Sequence, residues 1–314
     1  MKMSLSLWWL FNFYLRPIVK WFLRKTTGLC ELQRICYGEV SGTPRIKGVE
    51  HSLTMSKSHQ IKQLVQHLND IADNKRFIGA NQREIVRGAV STVLLVKKIS
   101  PKVHYQFVSS FGKCVEQIWG YRQLVSQVEE LRTIAYDGDN IEHENKLYEL
   151  WEKLMPNEKL EGRITKQWQD IGFQGEDPKT DFRGMGLLGL ENLLFFASEH
   201  QNPAQHVLSH SHHPVYGYCF AIVGINLTSL AWILLKDGSA KTYVYNTSGS
   251  VPSIRHFHQF YSFLFYEFDR FWLHCKPKDI MEFSTIKNRF ESNLRISLQD
   301  PNSSYRIGVT VDNV

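Results

Sequence analysis

Residues 168–190 read WQDIGFQGEDPKTDFRGMGLLGL and form the most unusual stretch of this sequence. Five glycines and one proline in this stretch disfavour a regular helix, because glycine adds backbone freedom and proline removes a backbone N–H donor. From Leu187 onward, apolar residues recur at three- and four-residue spacing, which predicts a helix. The stretch therefore predicts a glycine-rich loop that carries Asp181 and Arg183 to a helix start, where Thr180 or Asp181 is the candidate N-cap.

Helical spacing continues on both sides of this loop. Apolar residues recur every three or four positions over residues 61–72, 124–135, 147–155 and 257–272. Residues 85–96 are apolar without a clear period, and their helical neighbours favour a helix there as well. We therefore predict an all-α architecture, with a multi-helix domain and an N-terminal hydrophobic and aromatic helix.

Two further segments require a choice between structures. Residues 218–235 form an uncharged run of 18 residues, which is close to the length of a membrane span. Polar residues such as Asn226 and the marginal length favour a buried core helix instead. Residues 241–245 show the alternation of a short β-hairpin, which is the one exception to the helical prediction.

The composition limits the classes of function. The chain has 314 residues, of which 43% are hydrophobic and 22% charged, as is typical of a globular protein with a sizeable core. A net charge of +6 is too small and too dispersed to predict nucleic-acid binding. It is compatible with an acidic membrane or protein partner, and equally with a mildly basic solvated surface. Five widely spaced cysteines without a C-x-x-C pair argue against disulfides and favour the reducing cytosol.

Residues 5–23 are rich in aromatic and basic side chains. No small-residue cleavage site follows them, so we expect no cleaved signal peptide. A spanning helix would place Arg16, Pro17 and Lys20 in hydrocarbon, which is costly. Aromatic residues favour the headgroup boundary and basic residues reach anionic lipid, so an interfacial anchor is favoured. A spanning helix and packing against the protein's own core are the alternatives.

Two patterns resemble binding motifs but lack the context that such motifs require. Residues 184–189 match G-x-G-x-x-G, yet no strand precedes them, and no G-K-[ST] is present for a P-loop. We therefore expect the chain to bind no nucleotide by itself. The histidines at 206–213 include His206 and His210 at a spacing that zinc sites use, but no H-E-x-x-H or C-x-x-C motif supports a metal site. A solvated loop before Pro214 is favoured.

The glycine-rich loop also carries a resemblance to a known family. The pattern W-x-x-x-G-F-Q-G-x-D-P-x-T-D-F-R-G-M-G-x-L-G-L over residues 168–190 resembles the signature of ELMO domains. The likeness extends to residues 30–35, 221–226 and 257–261, and so covers most of the chain. The chain is similar to the short ELMO domain-containing proteins, which lack the armadillo-type and pleckstrin-homology regions of larger members.

Turn residues cluster at 137–140 and mark the start of the ELMO domain. We divide the chain into four parts on this basis. They are a membrane-proximal aromatic and basic segment (1–50), a helical region packed on the core (51–134), the ELMO domain (135–297) and a C-terminal tail (298–314).

The resemblance implies a GTPase-activating protein for Arf-like and Arf small GTPases, with Arg183 as the arginine finger. GTP and Mg²⁺ would be carried by the partner, so the chain needs no cofactor and has no hydrolase site of its own. The short members imply a cytoplasmic location on an intracellular membrane, such as the endoplasmic reticulum, mitochondria or lipid droplets. The other residues expected to shape the loop or bind the partner are Trp168, Gly172, Phe173, Gln174, Asp177, Pro178, Asp181 and Gly184.

Each of these roles has an alternative. Arg183 would brace the loop instead if it paired with Asp177 or Asp181. Gln174 would either orient the attacking water or satisfy backbone groups of the loop, and the second role is favoured. For the chain as a whole, the alternative is a non-catalytic adaptor for small GTPases or their exchange factors. The larger members of the family have such a role when they scaffold Dock-type exchange factors.

Overall fold

The computed structural model describes residues 14–73, 82–249 and 251–307. The regular structure in these ranges is helical, and they contain no strand, so the all-α prediction is confirmed. The α-helices are α1 (Arg16–Thr27), α2 (Glu31–Gly38), α3 (Thr43–Thr54), α4 (His59–Asp73), α5 (Gln82–Lys97), α6 (Tyr105–Thr133), α7 (Ile141–Leu154), α8 (Gly186–Glu199), α9 (Gln201–Ser211), α10 (Phe220–Lys236), α11 (Lys241–Thr247), α12 (Ile254–Cys275) and α13 (Phe283–Ser297). Short 3₁₀-helices lie at Lys166–Ile171, Pro178–Arg183 and Ile280–Glu282.

The chain divides into two compact units, Met1–Arg122 and Gln123–Val314, with the boundary inside α6. In the first unit, α2 packs on α3, and α4 packs on both α3 and α5. The apolar face predicted for α4 is turned inward, because Ile61, Ile71 and Ala72 are buried. The three- and four-residue spacing thus identified the buried side of this helix correctly.

Helix α8 forms the centre of the second unit. It packs against α7, α9, α10 and α12. Its side chains Leu188, Leu190, Leu193 and Phe196 are completely buried. The helix that follows the glycine-rich loop is therefore part of the core, and the carboxyl end of the loop is held firmly in place.

The uncharged run at 218–235 forms the buried core helix that its composition favoured, and α10 contains it almost entirely. A side chain at Gly224 would place its Cβ 2.5 Å from Leu193 Cδ2 and 2.8 Å from the Tyr261 hydroxyl. A larger residue here would displace side chains of α8 and α12, because both helices pack closely against α10. Among the described residues, no single helix has the length and apolar character to cross a membrane, and α10 and α11 meet that test only as a pair bent by 88°.

The prediction of a hairpin at 241–245 is wrong, because these residues belong to α11. Tyr243, Val244 and Tyr245 are all buried, and α11 packs against α12. A strand with one solvated face hides alternate residues, whereas these three are hidden in succession. The tertiary packing of α11 therefore overrides the local alternation.

The prediction of a solvated loop is also wrong for His206 and His210, which belong to α9. His210 Nδ1 lies 2.7 Å from one carboxylate oxygen of the buried Asp269, and the Tyr218 hydroxyl donates to the other oxygen at 2.6 Å. The hydrogen bond to Asp269 raises the pKa of His210, although burial opposes the charge. No group of three or more His, Cys, Asp or Glu side chains in the described ranges is arranged to hold a metal ion.

We expect His210 to make stability depend on pH. Its folded-state pKa lies above the ordinary 6.5, so its stabilisation is complete below about pH 6.5 and is lost as the pH rises through the folded-state value. His210→Gln should therefore lower the free energy of unfolding more in acid than in alkaline solution, as measured by urea denaturation across pH. His274→Gln, at an exposed position of α12, is the control. A loss that is equal at every pH would contradict this role.

Candidate functional site

The glycine-rich loop is built from two 3₁₀-helices, Lys166–Ile171 and Pro178–Arg183, joined by a turn. The Asp177 side chain caps the second one by accepting the backbone N–H of Lys179 at 2.9 Å. Pro178 occupies the first position, where a missing N–H donor costs nothing and the fixed φ angle suits a helical turn. Local sequence chemistry therefore explains how the backbone turns just before Arg183.

The start of α8 differs from the prediction of Thr180 or Asp181 as N-cap. Helix α8 begins at Gly186, without a side-chain cap. The backbone carbonyl of Ile134 instead accepts the N–H of Leu187 at 2.8 Å. Because a carbonyl from a distant part of the chain satisfies this donor, neither predicted residue is needed, and that prediction is wrong.

Three buried rings, Trp168, Phe173 and Phe182, support the loop from below, and we call them the aromatic base. The Trp168 and Phe173 rings meet edge to face with centroids 6.0 Å apart, and Phe173 meets Phe182 in the same way at 5.5 Å. The Trp168 indole N–H donates to the carbonyl of Arg163 at 3.0 Å. Buried rings do not contact a partner directly, so their contribution is to the shape of the loop.

Gly172 ends the first 3₁₀-helix in the left-handed region, at φ 83°. A Cβ at this position would lie 2.2 Å from the backbone nitrogen of Phe220, at the start of α10. The carbonyl of Gly172 also accepts the N–H of Ile222 at 3.3 Å. Both the φ angle and the close backbone contact therefore require glycine.

Both acids that were candidates to pair with Arg183 have other partners. Asp177 forms an ion pair with Arg163 at 2.8 Å, and Asp181 accepts the backbone N–H of Gln174 at 2.9 Å. Burial opposes ionisation of Asp177, but the N–H of Lys179 and the guanidinium of Arg163 keep its pKa below the ordinary value. Burial raises the pKa of Asp181.

Arg183 is exposed, and its guanidinium has no hydrogen bond or ion pair with any residue of the described ranges. The next residue, Gly184, is also exposed, and a Cβ there would have no heavy atom within 4 Å. Gln174 is exposed as well, whereas Pro178 is buried. The loop thus presents Arg183, Gly184 and Gln174 to solvent and turns its proline inward.

A surface pocket of about 320 Å³ lies beside Arg183, and Arg132 and Lys179 also line it. Arg132 forms an ion pair with Glu129 at 2.5 Å and lies over the Trp232 ring at 4.7 Å. Lys179 is exposed and has no carboxylate partner among the described residues. Sequence reasoning missed Arg132, because no motif joins α6 to the loop and only the fold brings them together. It also passed over Lys179, although this residue stands in the loop motif itself, four residues before Arg183.

Packing requires glycine at one position of the G-x-G-x-x-G pattern at 184–189, namely Gly186. Gly186 has φ 54°, and a Cβ there would lie 2.3 Å from the carbonyl oxygen of Ile134. A Cβ at Gly189 would lie 3.4 Å from the Phe182 ring. Gly186 therefore accommodates the protein's own backbone, in the place where a dinucleotide motif would approach a phosphate, whereas the distance at Gly189 is an ordinary contact.

The fold and the loop define a class of protein, namely an all-α domain that displays an arginine on a glycine-rich loop above an aromatic base. The profile of the ELMO/CED-12 family matches residues 126–287, a range that includes the whole loop. The chain belongs to the ELMO/CED-12 family.

Individual relatives match almost the whole chain. ELMO domain-containing protein 2 of Bos taurus is 42% identical over 308 residues, which cover 98% of this chain and 100% of the relative. ELMO domain-containing protein 1 of Mus musculus is 43% identical over 92% of this chain and 89% of the relative. ELMO domain-containing protein B of Dictyostelium discoideum is 35% identical over 90% of this chain and 94% of the relative. No solved structure gives a significant match.

Alanine substitution at two loop glycines should distinguish a glycine that the packing requires, Gly172, from one at the open surface, Gly184. Gly172→Ala should lower the free energy of unfolding by about 2 kcal/mol or more, because it combines backbone strain with a clash against Phe220. Gly184→Ala is the matched control, because its φ of −80° is ordinary and the added methyl group meets open space. Thermal unfolding of both variants measures the difference. Equal midpoints would show that the contact of Gly172 with α10 does not constrain the loop.

Proposed function

We propose that this chain is a GTPase-activating protein for Arf-like and Arf small GTPases, with Arg183 as its arginine finger. One observation supports this more than any other: the Arg183 guanidinium is exposed without a partner in the described ranges, while Asp177 and Asp181 bond elsewhere. No ion pair has to break before this side chain reaches another molecule. GTP and Mg²⁺ would come with the partner GTPase.

The reaction chemistry suits an arginine delivered in this way. Transfer of the γ-phosphoryl group of GTP spreads negative charge over several oxygens, and a guanidinium supplied in trans accelerates hydrolysis by roughly 10³ to 10⁵-fold. Its planar fork of N–H donors matches two oxygens at once, which the ammonium of lysine does not. In the water-excluded contact with a partner, this attraction is far stronger than at the free surface.

The backbone that carries Arg183 is held on both sides. Phe182 and Met185 are both buried, and Phe182 belongs to the aromatic base. The ordering of a long side chain and its loop on binding costs free energy, so a loop that is already ordered loses less. This arrangement supports a finger whose backbone is positioned in advance and whose side chain alone remains to be ordered.

The surroundings of Arg183 favour a negatively charged partner surface. Lys179 is exposed and forms no ion pair in the described part of the chain, and it lines the same pocket as Arg132. Adjacent like charges raise the local positive potential and accelerate encounter with an acidic surface. We therefore assign Lys179 to partner attraction and Arg183 to the transition state.

The test is single-turnover phosphate release from Arf-like GTPases loaded with GTP. Arg183→Ala should reduce the stimulated rate by roughly 10³-fold or more, because the charge that stabilises the transition state is lost. Arg183→Lys should restore little of it, because the planar donor fork is absent. The matched control is Lys166→Ala, which removes an exposed cation from the other 3₁₀-helix and should leave the rate unchanged.

Binding of the GTP-loaded partner, measured in parallel, separates this function from its alternative. Reduced hydrolysis with retained binding of Arg183→Ala would support the finger. If wild-type protein and Arg183→Ala bound the GTPase equally and neither stimulated hydrolysis, the chain would be an adaptor. Equal stimulation by both would remove Arg183 from the mechanism.

We further propose that α1 anchors the protein to the cytosolic surface of an intracellular membrane. Residues 5–13 of the aromatic and basic segment lie outside the described residues. Within α1, Ile18 and Trp21 are each 63% exposed and Phe22 is 58% exposed. Such exposed apolar side chains beside basic residues suit the headgroup boundary of a bilayer.

Substitution of this apolar face tests the anchor. The triple variant Ile18→Gln, Trp21→Gln, Phe22→Gln should reduce binding to neutral phosphatidylcholine vesicles roughly tenfold or more, because the apolar area that inserts is lost. Sedimentation with vesicles measures the bound fraction. The control carries the same change at three exposed apolar positions of the first unit, namely Val40, Leu95 and Val103. Equal binding of the two triple variants would contradict an anchor at α1.

A further inference from the structure

A second basic pocket lies within the first unit, between α1 and the segment that joins α3 to α4. Its volume of about 530 Å³ lies within the range of small-molecule sites, roughly 300–1,000 Å³. Of the residues that the structure describes, six basic side chains and one acidic side chain, Glu31, line it. The basic residues are Arg16, Lys20, Arg24, Lys57, Lys62 and Lys97.

Arg16 is the most buried of these cations, with only 10% of its side chain exposed. Its Nη2 donates to Glu31 at 3.0 Å, but its Nη1 is buried and has no hydrogen-bond partner among the described residues. A buried charged donor left unpaired is costly. An acceptor that enters the pocket would supply the missing bond.

The acid in the pocket is already fully engaged. The Glu31 carboxylate lies 2.5 Å from Lys20 Nζ and accepts the Ser52 hydroxyl at 2.5 Å, in addition to its bond with Arg16. Burial opposes ionisation of Glu31, but these three donors keep its pKa below the ordinary value. Glu31 therefore balances part of the charge of Arg16 and Lys20 and has little capacity for the other four cations.

Those four cations, Arg24, Lys57, Lys62 and Lys97, form no ion pair with any carboxylate in the described ranges. Within the described ranges, six positive charges against one negative charge leave an excess of five around a single concave surface. Like charges held together repel, and a ligand with several negative charges relieves that repulsion. The chemistry of the pocket thus fits a ligand with more than one phosphate group.

The neighbouring surface indicates where such a ligand comes from. Arg16, Lys20 and Arg24 recur every four residues, so they share the face of α1 that lines the pocket. Ile18 and Phe22 lie on other sides of the helix and are exposed. A helix with cations on one face and aromatic and aliphatic residues on another lies along a membrane interface, with its cations at the level of the lipid phosphates.

We infer that this pocket binds the phosphorylated inositol headgroup of a membrane lipid, with Arg16 Nη1 as a buried donor and Lys57, Lys62 and Lys97 as the surrounding cations. The inference rests on the membrane association proposed for α1, and adds a lipid class to it. It does not depend on Arg183 or on any activity toward a GTPase.

The test is sedimentation of the full chain with three vesicle types: phosphatidylcholine alone, phosphatidylcholine with phosphatidylserine, and phosphatidylcholine with a phosphatidylinositol bisphosphate. The last two are matched in total negative charge. We expect the bisphosphate vesicles to bind at least about tenfold more tightly than the phosphatidylserine vesicles, because a concave site gathers several phosphates of one headgroup.

Two triple variants with the same loss of charge test the site. Lys57→Gln, Lys62→Gln, Lys97→Gln should reduce binding to the bisphosphate vesicles by about 100-fold, as expected for three lysines at a membrane surface. The control, Lys98→Gln, Lys102→Gln, Lys113→Gln, changes lysines of the same unit that do not line the pocket, and should keep most of the binding. Arg16→Gln, checked for folding by circular dichroism, should also lose the preference for the bisphosphate.

Three results would overturn the inference. One is equal binding of the two charge-matched vesicle types, which would show general attraction to anionic lipid. Another is an equal loss of binding to the bisphosphate vesicles in the two triple variants. The third is binding of a soluble inositol phosphate as tight as that of the vesicles, which would show a site for a free metabolite. Retained binding to phosphatidylcholine alone in any of these cases would leave the α1 anchor intact.

Discussion

The shape of the loop depends on one close backbone contact, that of Gly172 with the start of α10. A Cβ at Gly172 would lie 2.2 Å from the nitrogen of Phe220, so the two segments touch only because this residue has no side chain. The next residue, Phe173, is thereby turned inward to meet Trp168 and Phe182. Because α8 and α10 are buried helices of the same unit, this contact fixes the loop to the core.

That fixed shape also determines which charges meet. Asp177 has two partners: it accepts the backbone N–H of Lys179, and it forms an ion pair with Arg163. Asp181 accepts the backbone N–H of Gln174. Each acid therefore stabilises the loop's own turn, and Arg183 is left exposed. Since an ion pair in water contributes only about 0–1 kcal/mol, a pair between Arg183 and one of these acids would add little stability. Asp177 and Asp181 instead accept backbone N–H groups of the loop, and these hydrogen bonds stabilise the loop more than such an ion pair would.

Much of this fold could be predicted from the sequence, and the exceptions share one cause. The spacing of apolar residues identified the buried face of α4 and the core helix α10, because these patterns are local. The hairpin at 241–245 failed because packing against α12 decides the structure there. The N-cap prediction failed because the Ile134 carbonyl, far along the chain, accepts the N–H of Leu187 in the first turn of α8.

The candidate site shows the same division. Arg183 and the glycines of the loop stand in one continuous motif and could be found by reading it. Lys179 stands in the same motif, four residues before Arg183, whereas Arg132 lines one pocket with them only after α6 and the loop have packed together. The pocket beside α1 likewise combines cations from three separate helices and a connecting segment. The positions of the basic residues can be read from the sequence, but only the fold shows that they line one cavity.

The two basic surfaces should also act in different ways, for a physical reason. The exposed guanidinium of Arg183 is surrounded by water, which weakens its attraction for an anion until a partner excludes that water. The pocket beside α1 is concave and already holds one nearly buried guanidinium, that of Arg16, so we expect it to attract phosphate before any partner arrives. The first surface is therefore suited to a charge that exists only in a transition state, and the second to a ligand that stays bound.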